Sequence, residues 1–328
     1  MSQRSSSMNI LKSNLPPEIS ISLLMITVMV AFAAIFQLPI VYPTGERAAF
    51  VGIHYLYPLM GVGVWGAFAF YGQRRAIART FLIALPCYVV VLFVYFNIKL
   101  WIPHINPYLF DEFYWEIDQK FRPLVDICMV LRRSMTVFIP YEANFYMIGY
   151  IAMFYGSFCY HAFRTPDKFS ELVIAALLLQ GLGTLAYIVA PAIGPFIYEA
   201  GLNPMVTAGQ HSMLDFYNQS VAEGPIWLAR NGGKAFTVGL AAMPSLHSAA
   251  AFLFLSFAWK HGRILVPLYA FITFFIFVTA VATRWHYLID VPIGVLIAWV
   301  SLKGAERLSR APSMETATLS RPLAEQPA

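Results

Sequence analysis

Residues 264–282 read ILVPLYAFITFFIFVTAVA, without one charged side chain. A helix of that length covers about 28 Å, close to the thickness of a bilayer's hydrocarbon core. Similar apolar runs recur along most of the 328-residue chain, of which 59% is hydrophobic and only 12% charged. Length alone would suggest about two soluble domains. The recurring runs argue instead for an all-α fold, a polytopic integral membrane bundle of about eight transmembrane helices. The net charge of +5 lies between the apolar runs and not on a basic stripe interleaved with aromatics, which argues against nucleic acid as a partner. Cys87, Cys128 and Cys159 are odd in number and lack metal-ligand spacing, so they read as buried small residues and not as a disulfide framework or zinc site.

Working outward from 264–282, spans are expected near 18–41, 50–71, 77–97, 143–163, 170–190, 240–259, 264–282 and 285–303. The first lacks a small-residue cleavage site and reads as a retained signal anchor. Gln73-Arg74-Arg75 with Arg79, the links holding His161, Arg164 and Lys168 and Lys260-His261-Gly262-Arg263, and the tail with Lys303, Arg307 and Arg310 then share one side. The positive-inside rule makes that side cytoplasmic. The expected divisions are a cytoplasmic tail at 1–17, N-terminal spans at 18–97, an extracytoplasmic interfacial segment at 98–142, a catalytic region at 143–307 and a disordered cytoplasmic tail at 308–328. Long connections at 98–142 and 191–239 face the other side, and loops of such length usually have a function. In the first, Phe110, Tyr114, Ile117 and Phe121 recur at helical spacing with Asp111, Glu112, Glu116 and Asp118 between them, which predicts an amphipathic helix at the interface.

At the start of the span before 264–282 stands AAMPSLHSAAAF, residues 241–252, a run that opens with polar groups at the mouth of an apolar helix. Pro244 fits a first helical turn, and Ser245 can satisfy nearby free donors. With Ser248, this N-terminus offers N–H groups and a dipole suited to a phosphate. Immediately after 264–282 stands TRWHYLIDVPIG, residues 283–294, where His286 and Asp290 are four apart and would share one helix face. The expected topology puts His247 and His286 at the same membrane surface. The pattern suits phosphoryl transfer without a metal or other cofactor: His286 as nucleophile, His247 as the acid that protonates the leaving oxygen, and Asp290 as the group orienting His286. His211 and Asp215 repeat the spacing inside the long 191–239 connection, where a polar loop produces it by chance; they could instead help cover a head group. His54 reads as interfacial.

Pro244-Ser245-Leu246-His247-Ser248 and His286-Tyr287-Leu288-Ile289-Asp290 resemble the second and third signature motifs of the type 2 phosphatidic acid phosphatase superfamily, and their compact form resembles its inositol phosphorylceramide synthase branch. APAIGPFIY at 190–198 is similar to the proline-rich turn of that branch. The resemblance covers roughly 143–303 and implies a six-helix core, a metal-independent phosphohistidine mechanism and lipid phosphoesters as substrates. Two features depart from the pattern. The first motif's lysine is missing, because Trp115 stands where it should precede Arg122-Pro123. The usual Ser-Arg pair of the third motif aligns with Thr279-Ala280. Arg284 is then the first candidate for the phosphate clamp, followed by Arg230 and Lys234, since a cation would stabilise developing negative charge. Snorkelling to the interface is the other reading of Arg284.

The expected function is transfer of a phosphorylated head group, inositol phosphate by the resemblance, from a phospholipid donor to a lipid hydroxyl. The alternatives are a lipid phosphate phosphatase that uses water and a lipid-binding or transport protein without turnover. Membrane lipids are the expected partners as donor and acceptor. The expected place is a bacterial inner membrane or its equivalent, with the site facing the extracytoplasmic side.

Overall fold

The computed structural model of the chain describes residues 15–44, 75–139, 142–237, 240 and 243–309. The expected span at 50–71 with His54, residues 1–14 of the first tail and the last tail from 310 onward lie outside the described residues. Among the described residues there are ten α-helices and no strand. In chain order they are α1 (Pro17–Ile35), α2 (Arg75–Ile105), α3 (Asp111–Lys120), α4 (Arg122–Phe138), α5 (Glu142–Arg164), α6 (Pro166–Val189), α7 (Pro204–Asn231), α8 (Leu246–His261), α9 (Val266–Ala282) and α10 (Asp290–Ser309). Four segments are long and apolar enough to cross a membrane: Pro17–Ile35, Phe81–Ile105, Pro166–Val189 and Arg263–Ala282. The chain is a helical membrane bundle.

Helix α6 is its axis, packed against α1, α2, α5, α8 and α10. Its residues from Leu172 to Leu177 are buried without interruption, as a helix apolar all round should be. Helix α1, by contrast, buries Glu18, Ser22, Met25 and Met29, the three-and-four spacing of a single face. Its far side leaves Leu23, Leu24 and Val30 exposed, and α9 and α10 expose Leu268, Phe271, Phe274, Leu296 and Trp299. Exposed apolar surface on this scale suits acyl chains better than water. The α6–α8 approach depends on Gly183, where a Cβ would run into the Leu246 side chain.

The helices differ in extent from the expected spans and connections in four places. Helix α2 runs on to Ile105, so residues 98–105 belong to a helix and not to a connection. The rest of 98–142 is mostly α3 and α4, and the connection at 191–239 is largely α7, kinked at Gly224, where φ is 76°. Helix α8 starts at Leu246, which leaves Pro244 outside the first turn, after a cis Met243–Pro244 bond. Helix α10 starts at Asp290, five residues beyond the expected boundary, and residues 283–289 form a turn that Arg284 enters in a left-handed conformation (φ 59°).

Candidate active site

His286 lies in the turn between α9 and α10, and Asp290 is the first residue of α10. The two still meet, with Nδ1 of His286 3.2 Å from Oδ2 of Asp290. The turn creates the contact by folding back on itself: the same Oδ2 accepts the Tyr287 N–H at 2.9 Å, and the His286 N–H donates to the Ala280 carbonyl at 3.2 Å. Asp290 is fully buried and His286 is 8% exposed, so the pair is shielded from bulk solvent.

The segment carrying His247 joins this turn directly. The Ser245 N–H donates to the Asp290 carbonyl at 3.2 Å. Close packing of α8 on α10 relies on Gly294, where a Cβ would stand 2.7 Å from the Ser245 carbonyl oxygen. Both serines are buried, and the Ser245 hydroxyl donates to Ser248 Oγ at 2.9 Å, so Ser245 does not cap α8 with its side chain. The His247 ring packs edge-on against Tyr150 and Tyr146 of α5, with centroids 4.8 and 5.4 Å away. His286 and Lys99 lie within electrostatic reach of His247. His286, Asp290, His247, Ser245 and Ser248 thus gather at one end of the bundle.

The candidate phosphate clamps are placed differently. Arg284 is fully buried, its Nη1 2.9 Å from Asp118 and its Nε 3.4 Å from Glu199, with the guanidinium 5.3 Å from the Trp115 ring centroid. Two carboxylates thus stand beside the charge expected to meet phosphate, and its complete burial corrects the snorkelling reading. Arg230 and Lys234 are exposed near the end of α7 and just after it. Lys234 lines a cavity of about 250 Å³ with Asp215, Gln219 and Asn231, and His211 is exposed nearby on the same helix.

Helix α3 is present where the apolar spacing put it, with Tyr114 buried and Ile117 half-buried as that face predicts, but its buried side also takes in two carboxylates. Asp111, Tyr114 and Asp118 face inward, whereas Phe113 and Phe121 are exposed. The spacing of three and four that marks a helix face holds equally for these three residues. What turns the carboxylates inward is the number of donors waiting for them. Asp111 accepts the N–H groups of Ile193 and Gly194, both at 2.9 Å, and the Tyr287 hydroxyl at 2.7 Å. Asp118 accepts the Leu288 N–H at 2.8 Å and pairs with Arg284. Burial pushes the Asp111 carboxyl above its ordinary value, and these hydrogen bonds draw it back only in part. Burial and the adjacent Asp111 raise the Tyr287 hydroxyl far enough that it remains a donor.

The stretch at 190–198 completes this frame. Phe110 N–H donates to the Pro191 carbonyl at 2.9 Å, Phe196 N–H to the Arg284 carbonyl at 3.1 Å, and Trp115 stacks on Tyr198 at 4.9 Å. Gly194 takes φ 130°, and a Cβ there would lie 2.9 Å from the Trp285 carbonyl. Glu199 ties the frame to α4 through a two-pronged pair with Arg122 at 2.7 and 2.8 Å. Asp111, Asp118 and Glu199 are the residues sequence reasoning missed. For Asp111 and Asp118 the one signal was the inward side of α3 being readable from carboxylates as well as from aromatics.

A sequence model described as "PAP2 superfamily" matches residues 130–303, more than half of the chain. Among curated proteins and solved structures, nothing matches it.

Proposed function

Because the chain belongs to the PAP2 superfamily, a family of phosphatases and phosphotransferases, we propose that it moves a phosphorylated head group from a phospholipid donor to a lipid hydroxyl through a phosphohistidine on His286. The coarser statement, a membrane enzyme of the phosphatase or phosphotransferase type, rests on the family itself. The observation that carries the finer one is the His286–Asp290 contact of 3.2 Å in a buried turn hydrogen-bonded to the start of the His247 helix.

Asp290 engages Nδ1, so the attacking atom is Nε2 of His286. Nε2 forms a bond to phosphorus as the donor's P–O bond breaks, and the departing oxygen takes a proton from His247. In the second half, His247 removes the proton of the acceptor hydroxyl. Its oxygen attacks the phosphohistidine, the P–N bond breaks, and His286 is restored. The N–H groups at the start of α8 favour the developing charge on the non-bridging oxygens. Inositol phosphate as the transferred group and a ceramide-like acceptor rest on the motif resemblance, and the extracytoplasmic orientation rests on the charge distribution between spans.

The test is product analysis by mass spectrometry with detergent-purified protein, a panel of phospholipids including phosphatidylinositol, and ceramide or diacylglycerol. Wild type should yield a phosphorylated acceptor, and His286→Ala should lose at least about a thousandfold in rate together with the phosphoenzyme. Release of free phosphate in the presence of acceptor would instead identify a phosphatase. Equal turnover by folded His286→Ala would refute the phosphohistidine.

A further inference from the structure

The polar groups at the C-terminal end of α2 have structural partners, with one exception. Asn97 brackets Val41, its Oδ1 accepting the Val41 N–H at 2.8 Å and its Nδ2 donating to the Val41 carbonyl at 3.1 Å. Trp101 Nε1 donates to the Pro39 carbonyl at 2.9 Å, and His104 Nε2 lies 3.0 Å from Ser220 Oγ. Lys99, between them, is 8% exposed. Its Nζ lies 5.4 Å from the centroid of Tyr95, one turn earlier, and no carboxylate among the described residues forms an ion pair with it. An ammonium buried in a membrane bundle is costly unless an anion meets it, and such residues mark substrate paths.

Its surroundings lead to the histidines. Tyr95 and Tyr187 share a hydrogen bond, with rings 6.2 Å apart, and Tyr187 lies within electrostatic reach of Asp290. On the other side Tyr146 and Tyr150 line the His247 ring. A cation, a belt of phenol donors and the two motif segments therefore converge on one end of the bundle. Arg284 is held by Asp118 and Glu199, and Arg230 and Lys234 are exposed near the end of α7, so none of the three is placed as Lys99 is.

We infer that Lys99 is the phosphate-binding cation of the site, contributed by a helix that precedes the matched region 130–303. This rests on the His286 reading above. Lys99 Nζ pairs with a non-bridging oxygen of the phosphoester and holds phosphorus before His286. A charge-assisted contact of this kind is stronger than a neutral hydrogen bond, and its loss weakens anion binding by about tenfold or more.

The experiment is calorimetric titration of the detergent-purified full chain with orthovanadate, a phosphate analogue, alongside lipid kinetics. Lys99→Met should bind vanadate at least about tenfold more weakly and raise KM, with its unfolding temperature at or above wild type, while Lys99→Arg should stay within about threefold. If Lys99→Met does not fold, Lys99→Gln carries the same comparison. Wild-type vanadate affinity in a folded Lys99→Met or Lys99→Gln overturns the assignment, as does Lys99→Arg binding no better than Lys99→Met. Full turnover by His286→Ala overturns the phosphohistidine reading instead and leaves the vanadate result to judge Lys99 by itself. A wild-type protein that takes up no vanadate overturns Lys99 as an anion site.

Discussion

The two histidines rest on different kinds of support. His286 sits in a turn pinned by charged and polar groups from far along the chain: Asp118 reaches Leu288 and Arg284, and Asp111 reaches Tyr287. His247 sits at the start of a helix, held by two tyrosine rings and by a serine pair three residues apart. Hydrogen bonds specify distance and direction, whereas ring packing mainly fills space. On the proposed roles, a nucleophile that must meet phosphorus in line needs the first kind of support. A proton donor tolerates the second. The left-handed Arg284 beside His286 fits this contrast, since a strained backbone persists only where its surroundings over-determine it.

The sharpest way to break the contrast is Asp118→Ala. It strands the buried Arg284 and should cost about 3 kcal/mol in denaturant unfolding in detergent. Adding Arg284→Met to the same protein should recover part of that loss. Unchanged stability in Asp118→Ala would mean that α3 does not pin the turn. Gly294→Ala attacks the joint between the two supports, because its new Cβ would press on the Ser245 carbonyl. Overpacking there should cost about 2 kcal/mol and lower kcat as α8 and α10 separate.

Asp111→Asn keeps the shape but replaces an acceptor-only group with one that also donates, facing two backbone N–H groups and a hydroxyl. A loss of about 1.5 kcal/mol is expected, with a severalfold fall in kcat and little change in KM. A KM effect alone would place Asp111 in substrate binding and not in holding the turn. The smallest effect belongs to the His247 side. Ser248→Ala removes one buried hydrogen bond and should cost about 1 kcal/mol, measurable as a small shift in unfolding temperature. A loss as large as that of Asp118→Ala would erase the distinction between the two supports.

Much of this arrangement was legible in the chain. The apolar runs give the helical membrane bundle because the period and length of hydrophobicity are local properties. The spacing of His286 and Asp290 foretold their contact, although a folded turn and not a helix face provides it. Helix α3 was legible as a helix, but apolar spacing could not reveal that its carboxylates turn inward. Lys99 was hidden by a span boundary drawn two residues before it, although a lone lysine in VVVLFVYFNIKLWIP, residues 89–103, was itself a signal.

The sequence by itself therefore determined which segments become helices and which residue types stand together within a motif, since both follow from side chains a few positions apart. Only the tertiary structure decided that Arg284 belongs to Asp118 and Glu199, that Asp111 holds Tyr287, and that Lys99 comes within electrostatic reach of His247. A buried charge takes its partner from whichever element packing brings within a few ångströms, and for Tyr287 that partner stands 176 residues away.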